Sequence, residues 1–191
     1  MSKAQLRHNI LAQRSSRLGD NARLIAEVCR YIEDRQAHTV AAYVPTATEP
    51  GGGLPLIDAL ATATDTLYLP AIAAHHQLHW GSYTSGDVLA QGHWGIPEPS
   101  QAPHTNNILA TCDLVLVPGL ACSPAGVRLG RGGGYYDRAL AHVAGLSGVA
   151  VELGVLLHPW EVLSEVPFEP HDIRMDLIFT SEGTVRCSRN V

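Results

Sequence analysis

Residues 126–138 read Gly126-Val127-Arg128-Leu129-Gly130-Arg131-Gly132-Gly133-Gly134-Tyr135-Tyr136-Asp137-Arg138, and they follow Val117-Pro118-Gly119-Leu120. The chemistry this combination suits is anion binding. Glycine admits positive φ and close backbone approach, so successive amides can form an anion-binding nest. Arg128 and Arg131 add fixed positive charge whose planar forks match phosphoryl oxygens. The stretch lies between an apolar strand pattern and a helical one, where N-terminal amides and the helix dipole favour the same ligand. Asp137, just inside that helix, is a hard oxygen donor suited to magnesium. A glycine-rich stretch alone is most often a surface turn; two arginines, a Tyr-Tyr pair and an acid set this one apart. It lacks the Gly-Lys-Ser/Thr ending of a Walker loop and is not a Gly-x-Gly-x-x-Gly dinucleotide turn followed by a ribose acid.

The elements that must position this loop can be read from hydrophobic periodicity. Leu6, Ile10, Leu11 and Leu18 predict an amphipathic helix over residues 3–18. Asp20 is placed to cap a second helix with Ile25, Val28, Cys29 and Ile32 on one face. Residues 40–44 form a short apolar run ended by Pro45, and Gly51-Gly52-Gly53 break the chain before a helix over about residues 54–63. A strand over residues 66–69 is closed by Pro70; hairpin strands are expected around residues 78–83, with a turn at Gly86-Asp87. Residues 113–117 are the clearest strand, a helix follows over about residues 134–143, and residues 148–153 and 175–180 supply two more strands. Strands apolar on both faces and separated by helices predict an α/β fold: a single three-layer domain over residues 1–191 with a mostly parallel, doubly wound sheet. Ligands in such sheets bind at the carboxyl ends of strands, here the loops beginning at Pro45, Pro70 and Pro118.

A net charge of -5 gives no general attraction to nucleic acid or to an anionic membrane, so any anion site must be local. The first thirty residues are locally basic: Lys3, Arg7, Arg14, Arg17, Arg23 and Arg30 face only Asp20 and Glu27. Cys29, Cys112, Cys122 and Cys187 form no Cys-x-x-Cys pair, which reads as reduced buried thiols and not as zinc or disulfide chemistry. His75, His76, His79 and His93 lie in an irregular segment without zinc-protease spacing and read as solvated loop side chains. The polar N-terminus lacks a signal-peptide core, and no segment approaches the roughly 18 apolar residues of a membrane span. A soluble, cytoplasmic protein is expected.

Beyond the glycine-rich run, Lys3-Ala4-Gln5-Leu6-Arg7, Tyr43-Val44-Pro45 with Glu49, Leu69-Pro70, Gly95-Ile96-Pro97-Glu98-Pro99 and Val166-Pro167 through Pro170-His171-Asp172 occur in a set order and spacing. Together these segments resemble the 5-formyltetrahydrofolate cyclo-ligases, also called 5,10-methenyltetrahydrofolate synthetases, and the resemblance spans nearly the whole chain. It implies a single α/β domain, monomeric by default, that uses ATP and magnesium to phosphorylate the formyl oxygen of 5-formyltetrahydrofolate. The folate 10-nitrogen then attacks the formyl carbon, and loss of phosphate leaves 5,10-methenyltetrahydrofolate. No nucleic-acid or membrane partner is implied.

Carried over position by position, the resemblance puts Lys3 and Arg7 on ATP phosphates and makes Arg128, Leu129, Gly130, Arg131, Gly132, Gly133, Gly134, Tyr135 and Tyr136 the nucleotide loop. Arg131, Gly132, Gly133, Gly134 and Tyr135 would also touch the folate, with Arg131 and Tyr135 in catalytic roles. Val44, Glu49 and Trp94 would contact the folate, Glu49 accepting hydrogen bonds from the pterin and Trp94 stacking on it. Asp137 and Asp172 would hold magnesium, with His171 nearby and Asp176 structural. Two stretches depart from the family: Pro50-Gly51-Gly52-Gly53 replaces an Ile/Val-x-Thr-like segment, and Ala121-Cys122-Ser123 replaces an aromatic-Asp sequence. Two other readings stand beside this one: a non-catalytic folate- or nucleotide-binding protein on the same fold, and a different ATP-dependent ligase or phosphotransferase.

Overall fold

The computed structural model describes residues 1–17, 19–144, 150–169 and 172–188. Helix α1 spans Lys3–Arg14, opened by Ser2, whose hydroxyl accepts from the Gln5 amide. It ends four residues sooner than its apolar pattern suggests, and Leu18 lies outside the described residues. Leu11 is exposed, whereas Leu6, Ile10 and Arg14, at steps of four, share the buried stripe. Helix α2, Asn21–Arg35, is capped by Asp20 and buries Val28 and Ile32 of the expected face together with Leu24, while Ile25 and Cys29 are half-buried. Strand β1 is Thr39–Ala41, helix α3 is Leu54–Ala63, and strand β2 is Thr66–Ala73.

Strand β2 runs through Pro70, where an end was expected. It pairs antiparallel with β3, Gln77–Tyr83, in a register that sets Pro70 opposite Trp80. Trp80 directs its backbone amide and carbonyl to His104 instead, at 2.8 and 3.2 Å. Beyond Tyr68 strand β1 no longer flanks β2, so the proline nitrogen faces no ladder partner and its missing N–H disturbs nothing. The small strands β4, Ala90–Gln91, and β5, Pro97–Glu98, make a separate hairpin. Strand β6, Leu114–Pro118, is followed by β7, Ala121–Cys122, and β8, Arg128–Leu129, which pair with each other. Helix α4, Tyr135–Ala144, leads to β9, Glu152–Leu156, then to β10, Leu177–Thr180, and β11, Gly183–Arg186. The strand expected at 148–153 thus lies further on, and residues 145–149 fall outside the described residues.

The seven-stranded sheet has the order β11-β10-β9-β6-β1-β2-β3. Its five inner strands run parallel, and β3 and β11 close the two edges antiparallel. Alternation along β6 feeds both faces: Leu114 and Leu116 pack with α2 and α3, Val115 and Val117 with α4. This is the expected three-layer, doubly wound architecture. The chain leaves β1 towards β2, then returns to the other side of β1 as β6, so the loops after β1 and β6 diverge and open a crevice between them.

The loop after β1 reaches α3 through three glycines with positive φ, Gly51 at 97°, Gly52 at 64° and Gly53 at 95°. A Cβ at Gly51 would lie 2.8 Å from Leu56 Cδ2, and the Gly51 amide donates to Asn21 Oδ1 at 3.0 Å. The departure from the family pattern is therefore a defined turn bound to α2. Gly51→Ala is expected to destabilise the protein by about 1–3 kcal/mol through its left-handed backbone and the Leu56 contact, read as a lower urea midpoint; an unchanged midpoint would contradict this account.

Candidate active site

The crevice holds a cleft of about 480 Å³, within the range of small-molecule sites. Ile72, Leu78 and Ile96 give it apolar walls, and the chemistry sits at its two sides. On one side is Glu49, 6% exposed. Thr46 fixes its Oε2, donating from its amide at 2.8 Å and its hydroxyl at 2.9 Å. On the other side is the glycine-rich loop. The β7–β8 hairpin delivers it: the Leu120 amide donates to the Leu129 carbonyl at 2.7 Å, and the chain then turns through Gly132 at φ 101° and Gly134 at φ 70° into α4.

One contact crosses the cleft. Arg131 donates to Glu49 Oε1 from Nε at 3.2 Å and Nη2 at 3.0 Å. Arg128 is buried and anchors the loop from below, with Nη1 on the Pro118 carbonyl at 2.9 Å and Nη2 on Asp137 Oδ1 at 2.6 Å. Gly130, Gly132, Gly133, Gly134, Tyr135, Tyr136, Val44 and Trp94 all line the cleft with these residues. Trp94 is 73% exposed and meets the Tyr135 ring edge-on at 5.9 Å. Tyr135 is held from outside: its hydroxyl is 3.0 Å from His76 Nδ1, and the Arg138 guanidinium covers its ring. Burial pushes the Tyr136 phenol well above its ordinary range, with the Glu49 carboxylate adding to the effect, so it stays a neutral donor.

Lys3, Arg7, Leu129 and Asp172 do not line this cleft. Arg7 braces the loop from behind, donating from Nε to the Gly130 carbonyl at 2.8 Å. Lys3 bonds Asp172 Oδ2 and Glu169 Oε2, each at 2.7 Å, and these partners raise the lysine's pKa against the opposing desolvation, which is the largest single influence. Asp137 and Asp172 thus each carry a cationic partner. Among the described residues no group of three His, Cys, Asp or Glu side chains is arranged to hold a metal ion. His76 and His93 serve the cleft wall, His93 through Glu98 Oε1 at 3.3 Å. Of the cysteines, Cys112, Cys122 and Cys187 are buried and Cys29 half-buried, all free. His171 lies outside the described residues, and Asp176 has a structural contact, accepting from the Leu153 amide at 2.9 Å.

Sequence reasoning misses Arg14 and Glu161. Arg14 is 1% exposed. It donates to Glu161 Oε1 from Nε at 2.7 Å, to Glu161 Oε2 from Nη2 at 3.0 Å, and to the Gly119 carbonyl from Nη2 at 2.7 Å. It is no part of a solvated basic face. The signal was its position four residues after Ile10, on the stripe that Leu6 begins. Three buried side-chain polar atoms among the described residues lack a hydrogen-bond partner: Arg14 Nη1, Arg128 Nε and the Tyr136 hydroxyl. All three belong to residues in or directly behind the cleft, which is where unmet donors are expected if a polar ligand binds there.

The sequence model of the 5-formyltetrahydrofolate cyclo-ligase family matches residues 1–181. The chain is 37% identical over 147 residues to the 5-formyltetrahydrofolate cyclo-ligase of Mycolicibacterium smegmatis, covering 74% of this chain and 73% of that protein. It is 30% identical over 144 residues to the 5-formyltetrahydrofolate cyclo-ligase of Haemophilus influenzae, covering 74% and 75%. The NMR structure of Aquifex aeolicus 5,10-methenyltetrahydrofolate synthetase superposes with a TM-score of 0.77 at 27% identity, covering 100% of this chain and 96% of that one. No helix among the described residues is long and apolar enough to cross a membrane.

His158 ties the cleft's outer loops together. Its Nδ1 accepts from the Gly19 amide at 3.1 Å and its Nε2 lies 3.5 Å from the Thr48 carbonyl, which requires the neutral ring. Burial lowers its pKa below the ordinary value, outweighing the nearby Glu161. The stability it contributes is therefore present above about pH 6.5 and is lost as pH falls through the lowered folded value. His158→Gln is expected to flatten the dependence of unfolding free energy on pH just below that point, measured by urea melts; an unaltered slope would count against it.

Proposed function

The chain belongs to the 5-formyltetrahydrofolate cyclo-ligase family, and on that premise we propose that residues 1–191 work as one domain that converts 5-formyltetrahydrofolate and ATP to 5,10-methenyltetrahydrofolate, ADP and phosphate, with magnesium as cofactor. The observation that carries the reading is the cleft's division into a carboxylate side at Glu49 and an arginine-glycine side at Arg131, with apolar walls between them. A pterin presents amino and ring N–H groups, which a fixed carboxylate accepts. A polyphosphate presents oxygens, which backbone amides and guanidinium groups bind.

The chemistry needs both at once. A formamide oxygen is a poor leaving group, so it first attacks the γ-phosphorus of ATP and ADP departs. The 10-nitrogen then attacks the activated formyl carbon and gives up its proton, and the carbon–oxygen bond breaks with inorganic phosphate as the leaving group. The protein's part is positioning and charge neutralisation. Arg131, at the cleft mouth, binds the transferring phosphoryl group. Tyr135, held by His76 and Arg138, sets the formyl end against it. Arg7, in contact with Gly130, and Lys3 beside it in α1, bind the outer phosphates. Val44 and Trp94 enclose the folate ring.

Asp137 and Asp172 are the residues that would hold magnesium. One or two carboxylates completed by phosphate oxygens and water is how this ion is commonly bound, so the donor set fits without a protein cage. An ion held by them would supply neutralisation of phosphate charge. The cations now on the two carboxylates are Arg128 and Lys3.

Mixing the protein with 5-formyltetrahydrofolate, ATP and magnesium should give the absorbance of the methenyl product, lost on omission of ATP or on chelation. Binding of the ligands without turnover would instead identify a folate- or nucleotide-binding protein. Arg131→Ala is expected to lower kcat by about 10²–10³ while changing folate affinity much less, because its charge matters most as the phosphoryl group transfers. Undiminished kcat would remove Arg131 from that role.

A further inference from the structure

Glu49 Oε1 is shared between two arginines of different character. Arg131 bonds it at 3.0 and 3.2 Å from a half-exposed position between Gly130 and Gly132. Arg14 approaches it from a buried position, with Nη1 at 3.8 Å. The other nitrogens of Arg14 are committed to Glu161 and Gly119, so its aim at Glu49 is fixed. That Nη1 has no hydrogen-bond partner. Thr46 meanwhile pins Oε2, so Glu49 cannot follow Arg131 outward. The partner free to move is Arg131, on a loop whose flanking glycines include one at φ 101°.

We propose that nucleotide binding exchanges the cation on Glu49: Arg131 leaves Oε1 for phosphate oxygens, and Arg14, as a positioning residue, closes its unpartnered Nη1 onto that oxygen. The inference rests on the reading above in one respect, that the polyphosphate binds at the glycine-rich loop. The exchange is favourable in kind. A half-exposed ion pair is weak, whereas a buried guanidinium nitrogen without an acceptor is a cost that the new contact removes. It also has a consequence for the folate. While Arg131 lies on Glu49, the carboxylate that would receive the pterin is already occupied. Once the nucleotide has drawn Arg131 away, Glu49 faces the cleft with its charge still compensated from behind. Nucleotide and folate should therefore bind with positive coupling, each favouring the arrangement the other needs.

A merely structural Arg14 would hold Glu161 and Gly119 and have no energetic link to nucleotide binding. The test is a set of double-mutant cycles read by calorimetry, with magnesium and β,γ-imido-ATP and no folate. Glu49→Gln should tighten nucleotide binding by about fivefold or more, because Arg131 no longer leaves a carboxylate. In an Arg131→Ala background the same substitution should change affinity by less than about twofold. A tightening that persists there would reflect charge in the cleft at large and would overturn the exchange.

Arg14→Gln is made together with Glu161→Gln, so that neither buried charge is stranded. The pair should weaken nucleotide binding by about fivefold when Glu49 is present and by less than about twofold in Glu49→Gln; equal weakening in both would reduce Arg14 to a structural residue. Should that pair not fold, a crystal structure of Arg131→Ala decides. Arg14 Nη1 within hydrogen-bond reach of Glu49 Oε1 supports the proposal, and a separation still near 3.8 Å overturns it. Coupling without turnover of formylfolate would sink the enzymatic reading alone; turnover with additive binding energies would sink the exchange alone.

Discussion

The arrangement hangs on a charge pair sealed from water. Arg14 and Glu161 meet through two hydrogen bonds, with Glu161 wholly buried and also accepting from the His158 amide at 3.0 Å. Stranding one partner of such a pair costs about 3–5 kcal/mol, a large part of a domain's stability. Because Arg14 also holds the Gly119 carbonyl, the pair joins helix α1, the corner after β6 and the turn after β9 at one point. The glycine-rich loop springs from that corner, and Glu49 lies against the same guanidinium. The cleft therefore inherits its geometry from a contact outside it.

The framework of the fold is plain in the sequence where a strand is buried on both faces. Residues 114–118 are unbroken apolar and lie at the centre of the sheet, and no other element competes for that pattern. Legibility fails where a tertiary partner overrides a local signal. Pro70 marks a strand end in isolation, but next to Trp80, whose backbone turns to His104, it costs the ladder nothing. Strand β11 is polar and half-exposed, and its pairing with β10 supplies the reason for its form. Residues 3–18 read as one amphipathic helix because Leu11 and Leu18 extend the pattern, yet the helix stops where Arg14 turns inward.

The site divides in the same way. Residue types that bind phosphate are conspicuous between 128 and 137, and the loop does line the cleft, with Val44, Glu49 and Trp94 opposite. What the pattern could not give is which charges already neutralise one another. Arg128 on Asp137, Lys3 on Asp172 and Arg131 on Glu49 are pairings across 9, 169 and 82 positions of chain. Arg14 is the hardest case, since a lone arginine in a basic helix is normally solvated. The carboxylate at position 161, far along the chain, is the partner that its position in the helix does not announce.

That separation has a meaning in time. As a ribosome releases the chain, α1 emerges well before Glu161, carrying a basic side chain on its apolar stripe without that partner. Its carboxylate follows 147 positions later, after the strands that make the middle of the sheet. Helix α1 can therefore dock only late, as a contact of high sequence separation with a correspondingly slow closure. Until then the glycine-rich loop lacks its brace at Gly130 and its corner at Gly119. A half-made chain thus has no braced glycine-rich loop, and the geometry of the cleft arrives with the closing stitch.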